Sequence, residues 1–287
     1  LYVQCNNRKT LCFGGEKPVF AAEVIADGEV IRTTDDFRCY EMVDKLQKVE
    51  RMSFQRGYVE VYKMAKNREP FDETAFPRCG LVPAEMPKLL SRNVGLAKNL
   101  RAVAHRIEKG GVRIDKTKTW ENDFTRQLDT GNNLFSYTRA ECDCVLSKEI
   151  LAFAFDGEEV ADGIRYETYA FDRTYCGKFE IKLRVQKKTT VWVAYDDILI
   201  DEKLKFNREQ IIHGLKWELE AGEYLLHSNE VYTAKYLTFA IDGDAELQGV
   251  SLIRIENPNA EIYLYTDMDY DYVPAGISVV NVSDSME

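Results

Sequence analysis

The sequence predicts an all-β chain: two β-sandwich, jelly-roll-like domains joined by a short linker with a helical stripe. Three observations carry that expectation. Apolar and polar residues alternate along many short runs, and Gly, Asp and Asn recur between the runs. In addition, 287 residues are enough for roughly two domains at about 150 residues each, every one with a core of its own.

The first hundred residues read as strands. In FAAEVIADGEVIRTT, Asp27-Gly28 separates two β-rich runs, a hairpin signal because both residues accept the positive φ of a tight turn. RGYVEVYKM (56–64) alternates, with Tyr58, Glu60 and Tyr62 on one side and Val59, Val61 and Lys63 on the other. Pro70, Pro77, Pro83 and Pro87 then favour irregular chain. In NVGLAKNLRAVAHRIEKGG, Leu96, Leu100, Val103 and Ile107 fit a helical stripe closed by Gly110 and Gly111, while LRAVAHRI also reads as an extended crossover.

The second half has the clearer period. Phe179, Ile181, Leu183 and Val185 alternate with Glu180, Lys182 and Arg184, the pattern of a strand with one buried face. Runs at 190–200, 215–224, 234–244, 249–257 and 260–266 repeat it. In the run at 234–244, Leu237, Phe239 and Ile241 face a core, with Lys235 and Thr238 outside that row, and buried Tyr232 and Tyr236 need partners for their hydroxyls. The expected layout is an N-terminal sandwich over 1–105, a linker or crossover over 106–145, a second sandwich over 146–268 and a tail over 269–287. Ser283-Asp284-Ser285 near its end resembles a helix cap.

Charge and composition exclude several functions. Lys and Arg number 38 against 48 Asp and Glu, a net charge of −10 with no basic run, which disfavours binding to a nucleic-acid backbone. No apolar stretch is long enough to span a bilayer, and LYVQCNNRKT lacks the basic and apolar regions of a signal peptide. The expected location is left between the cytoplasm and the periplasm or exterior of a bacterium. The chain opens without Met, so a boundary is expected upstream. Seven scattered cysteines (Cys5, Cys12, Cys39, Cys79, Cys142, Cys144, Cys176) lack the spacing of a disulfide framework and read most simply as thiols, a few bridges in a periplasm aside.

Motifs for chemistry are sparse. The chain has no G-x-S-x-G, G-x-G-x-x-G or P-loop, and His105, His213 and His227 are not at metal-ligand spacing. Asp267, Asp269 and Asp271 imitate the opening of a calcium loop, but Tyr272 and Ser278 replace its required Gly and Glu, which excludes an EF-hand and leaves a looser calcium site or a solvated acidic loop. No metal and no cofactor is expected. Trp120, Trp192 and Trp217 with 16 tyrosines can build a sugar-stacking platform or simply fill cores. At the end of the VWVAY run, Trp192, Tyr195, Asp196 and Asp197 are the candidate carbohydrate-binding residues, although a strand-end turn also favours Asp.

FDRTYCGKFEIKLRVQKKTTVWVAYDDILID, followed by LEAGEYLLHSNEVYTAKYLTFAIDGDAELQGVSLIRIENP, resembles the β-sandwich that precedes the catalytic domain of bacterial α-L-rhamnosidases and related glycoside hydrolases. That family's Gly-led strand, V-x-V-x-Y-x-E-like strand and E-x-Y-x-x-[KR]-Y motif correspond here to Gly177, Val191–Asp197 and Glu230–Tyr236. Upstream, ADGEVIRTTDDFRC and RGYVEVYKMAKNREPFDETAFPRCGLVPAEMPKLL are similar to its earlier sandwich. Asp196 stands where the family usually has Glu, and 96–140 matches poorly.

The resemblance implies an (α/α)6 barrel carrying the catalytic acids, beginning about where this chain stops. No catalytic residue can then be placed here. The expected function is a non-catalytic accessory region of an α-L-rhamnosidase-like glycoside hydrolase whose parent cleaves terminal α-L-rhamnosides. The expected partners are a carbohydrate and the absent C-terminal catalytic domain. The alternatives are a stand-alone lectin-like carbohydrate-binding module and a purely structural scaffold.

Overall fold

A computed structural model describes residues 20–53, 57–68, 71–80, 82–83, 98–118, 137, 139–208, 211–256, 262–266 and 277–281. Its main sheet has ten strands: β1 (Glu60–Met64), β2 (Lys98–Val103), β3 (His105–Ile114), β4 (Phe153–Gly157), β5 (Arg165–Val185), β6 (Thr189–Asp196), β7 (Gly214–Leu219), β8 (Gly222–His227), β9 (Tyr232–Asp242) and β10 (Ala245–Glu256). The order is β1-β7-β6-β9-β5-β10-β2, with β3 and β8 also on β5, and β4 on β3. The β1–β7 pair is parallel and the others are antiparallel.

The 21-residue β5 turns this sheet into a sandwich. Its first part, Arg165–Ala170, lies between β9 and β3, and its last part, up to Val185, between β10 and β8. Ala234 pairs with Tyr175 and Tyr236 with Ala170, so Phe171 through Thr174 stand opposite Lys235 alone. Such a bulge bends a strand, and here the bend carries it from one layer into the other. The first layer is β1-β7-β6-β9-β5-β3-β4; the second is β8-β5-β10-β2.

The layers meet through the alternating face legible in the sequence. Phe179, Ile181, Leu183 and Val185 are buried, while Lys182 and Arg184 are exposed. Phe179 stacks on Tyr232 with centroids 5.2 Å apart and lies 5.5 Å from Tyr195 across the interface. Burying a side chain such as Phe179 contributes about 1.5–3 kcal/mol. Leu237, Phe239 and Ile241 occupy the same core. Thr238, expected outside that row, is buried as well, and its hydroxyl pairs with that of Thr168 at 2.9 Å. The far face of the first layer is covered too. A short helix, α1 (Ser147–Ile150), and the chain around Phe206 lie over it, with Ile150 and Phe206 both against Gly214.

The hairpin expected at Asp27-Gly28 is present, joining Glu23–Ala26 to Glu29–Thr33 with φ of 52° and 81° at the two turn residues. The helical stripe is not: Lys98–Val103 and His105–Ile114 are strands. The face they bury is marked by Ala102 and Ala104, at 7% and 6% exposure, whereas Leu100, Val103 and Ile107 are 45–56% exposed. Small residues inside and branched ones outside inverted the apolar signal. Strands β1, β2 and β3, which come from the expected first and linker intervals, hydrogen-bond into the sheet of 153–256. Leu96, Asp267, Asp269, Asp271, Tyr272 and Ser283–Ser285 lie outside the described residues.

Candidate functional site

The four candidate carbohydrate-binding residues end up in two environments. Trp192 and Tyr195 lie on opposite faces of β6, and both are buried, at 7% and 1% exposure. The Trp192 indole N–H donates to Glu149 Oε2 at 2.8 Å, its ring meets Phe153 edge-on at 5.3 Å, and Lys216 Nζ sits 5.8 Å from its centroid. Lys216, itself buried, bonds Glu149 Oε1 at 2.9 Å. Tyr195 packs on Tyr232 at 4.6 Å and His213 at 5.4 Å. A sugar stacks on an exposed ring face, which neither residue offers.

Asp196 and Asp197 are brought together by a residue that the sequence did not single out. Arg208, on the short ladder Asn207–Arg208/Ile211–Ile212, holds buried Asp196 in a fork, Nε to Oδ2 at 2.6 Å and Nη2 to Oδ1 at 2.8 Å. Its Nη2 also reaches exposed Asp197 at 3.2 Å, and the Asp197 amide donates to Asp196 Oδ1 at 2.7 Å. Burial opposes ionisation of Asp196, but Arg208 and the Asp197 contacts outweigh it and hold the carboxyl at about 2. The Asp196 carboxyl on the other side raises Asp197. The arrangement fastens the 197–208 loop to the end of β6; of the four residues, only Asp197 is exposed to solvent.

The most heavily bonded carboxylate is Glu60 on β1. It is 1% exposed and accepts from the Tyr62 hydroxyl, the Tyr232 hydroxyl at 2.7 Å, and the amides of Asn229 and Glu230 at 2.8 Å each. Burial, and then the charge of Glu60, push both tyrosine hydroxyls well above their ordinary range, so they stay protonated and donate. The cluster joins β1 to the turn before β9, 170 residues away in sequence. An acid alternating with tyrosines in RGYVEVYKM was the available signal: a charge on an otherwise apolar strand face needs built-in donors.

Two further polar assemblies face outward. On the second layer, Glu180 accepts from Arg101 Nε at 2.8 Å and Ser251 Oγ at 3.0 Å and lies 3.2 Å from His227 Nε2. Burial acts against its charge, and these partners bring the carboxyl below its usual range. At the β3–β4 edge is a cleft of about 130 Å³ lined by Arg113, Asp115, Lys118, Phe153, Asp156 and Lys205 among others. Arg113 forks Asp156 at 2.9 and 2.7 Å, and Asp115 caps its own turn through Thr117. This volume is well below the roughly 300–1,000 Å³ of small-molecule pockets.

No family model matches this chain, and no curated protein does. Among solved structures, the GH78 family rhamnosidase of Bacillus sp. GL1 aligns over 36% of this chain and 11% of its own, at 13% identity and a TM-score of 0.33. A rhamnosidase from Klebsiella oxytoca with rhamnose bound aligns over 33% of this chain and 22% of its own, at 8% identity and a TM-score of 0.27. The alignments thus span a minor part of each of those chains. Among the described residues, no helix is long and apolar enough to cross a membrane.

Proposed function

We propose that this chain is a non-catalytic accessory β-sandwich region of an α-L-rhamnosidase-like glycoside hydrolase, whose parent enzyme removes terminal α-L-rhamnosyl units. One observation carries the reading. The motifs that resemble that family lie far apart in sequence, yet their side chains converge on a single buried cluster: Glu60 and Tyr62, Tyr195, and Tyr232. Gly177 belongs to the same framework, since a Cβ there would lie 2.1 Å from the Ile253 carbonyl oxygen across the β5–β10 pair. The residues behind the resemblance therefore act as internal joints, with Glu60 tying β1 to the turn before β9. Acid–base work on a glycosidic bond needs a facing pair of carboxyl groups open to the sugar. Asp196, Glu60 and Glu167 are instead buried and engaged internally.

A lectin-like reading has one observation in its favour, the cleft where Phe153 lies beside the Arg113–Asp156 pair. Calorimetric titration with rhamnose and with rhamnosyl oligosaccharides separates the two. The accessory reading expects no saturable heat at millimolar sugar. Saturable binding abolished by Asp156→Ala would replace it with the lectin-like one.

A further inference from the structure

Cys39 and Cys79, forty positions apart, are direct partners in the antiparallel ladder Cys39–Tyr40/Arg78–Cys79, and their sulfurs are 3.2 Å apart. Cross-strand partners have Cα atoms about 4.5–5.5 Å apart, inside the roughly 4.4–6.8 Å that a disulfide spans. The backbone is therefore already placed for a bond. Neither thiol is shut away, since Cys39 is half-buried and Cys79 exposed. The contact with Cys39 raises the Cys79 thiol above its ordinary range, so its oxidation is favoured by higher pH, while burial, with Glu149 beside it, pushes the Cys144 thiol up to about 12.

The surroundings give such a bond a use. The ladder has just two residue pairs, and its other ties are exposed: Arg38 and Tyr40 both reach Glu73, at 2.9 and 2.6 Å, and Tyr40 meets the Phe71 ring at 5.5 Å. The segment it closes contains β1 and Glu60, which tie it to β7 and to the turn before β9. A covalent clip across the ladder closes this loop in the unfolded chain as well, which is how disulfides stabilise.

We propose that Cys39 and Cys79 form a disulfide site, oxidised by a low-molecular-weight disulfide and reopened by a thiol. The thiolate of Cys79 attacks one sulfur of the oxidant, forms a mixed disulfide and expels one thiolate. The Cys39 thiolate then attacks the Cys79 sulfur, forms the Cys39–Cys79 bond and expels the second thiolate. Two protons leave the cysteines, and the two electrons reduce the oxidant to two thiols. The loop is locked under oxidising conditions and open under reducing ones.

The test is peptide mapping of the folded chain after exposure to oxidised glutathione, with free thiols alkylated before digestion. The expected result is a Cys39–Cys79 cross-linked peptide that dithiothreitol abolishes, and a free-thiol count lower by two. Limited proteolysis within residues 65–78 is expected to slow on oxidation and to stay unchanged in Cys79→Ser under the same treatment. Alkylation of both cysteines after oxidation, or a bridge joining either of them to a different cysteine, overturns the proposal.

Discussion

Glu60 shows how a carboxylate is kept inside this sandwich: two hydroxyls and two amides converge on it. A carboxylate is acceptor-only, which suits four donors, whereas an amide turns an N–H₂ toward some of them. Glu60→Gln is therefore expected to lower the unfolding free energy by about 1–3 kcal/mol, the range for leaving buried polar groups unsatisfied. Chemical denaturation measures it. Asp196 makes a prediction in pH. Its carboxyl is held at about 2 in the fold, against about 3.9 when free. A lowered folded value means that its contribution is full above the free value and is lost as pH falls from there through the folded one. Arg208→Met removes the fork. It is expected to cost on the order of 3 kcal/mol at neutral pH by stranding a buried charge, a deficit relative to the parent chain that shrinks as pH falls and the carboxyl protonates.

The strands differ in how far the sequence reveals them. FEIKLRV and VWVAY were readable because large apolar residues lie at period two on a buried face. The strands at 98–114 were misleading because alanines occupy the inner positions, and a helical template picks out the branched residues left outside. The candidate site fared similarly. Asp196 and Asp197 stood out as strand-end acids, but Arg208 lies on a separate ladder, and sequence spacing does not reveal that meeting. That Trp192 and Tyr195 are buried on both faces of β6 follows from α1 and the Phe206 segment covering the first layer, a tertiary fact. Two glycines test the strand packing directly. At Gly177 a methyl group meets the Ile253 carbonyl at 2.1 Å, while at Gly249 the nearest atom is Lys182 Cβ at 3.8 Å. Gly177→Ala is expected to cost about 3 kcal/mol or more, as overpacking does when backbone must move. Gly249→Ala is expected to stay within about 1 kcal/mol, as substitutions that meet no crowding do. Thermal melts of the two variants make the comparison.

At the scale of the molecule, strands from three sequence intervals share one hydrogen-bonded sheet, and β1 closes its edge beside β7. A chain beginning at residue 106 lacks β1, β2 and Glu60. It is expected to give no cooperative unfolding transition by circular dichroism, where the 287-residue chain gives one. The accessory role we propose is consistent with the same interdependence, since the motifs behind the resemblance lie inside the fold. The most direct test of that role is the release of p-nitrophenol from an aryl α-L-rhamnoside, run in parallel on this chain and on one extended downstream in its gene. The account predicts turnover by the longer chain alone. Turnover by this chain contradicts it and places a catalytic carboxylate pair within these residues; no turnover by either contradicts the rhamnosidase assignment.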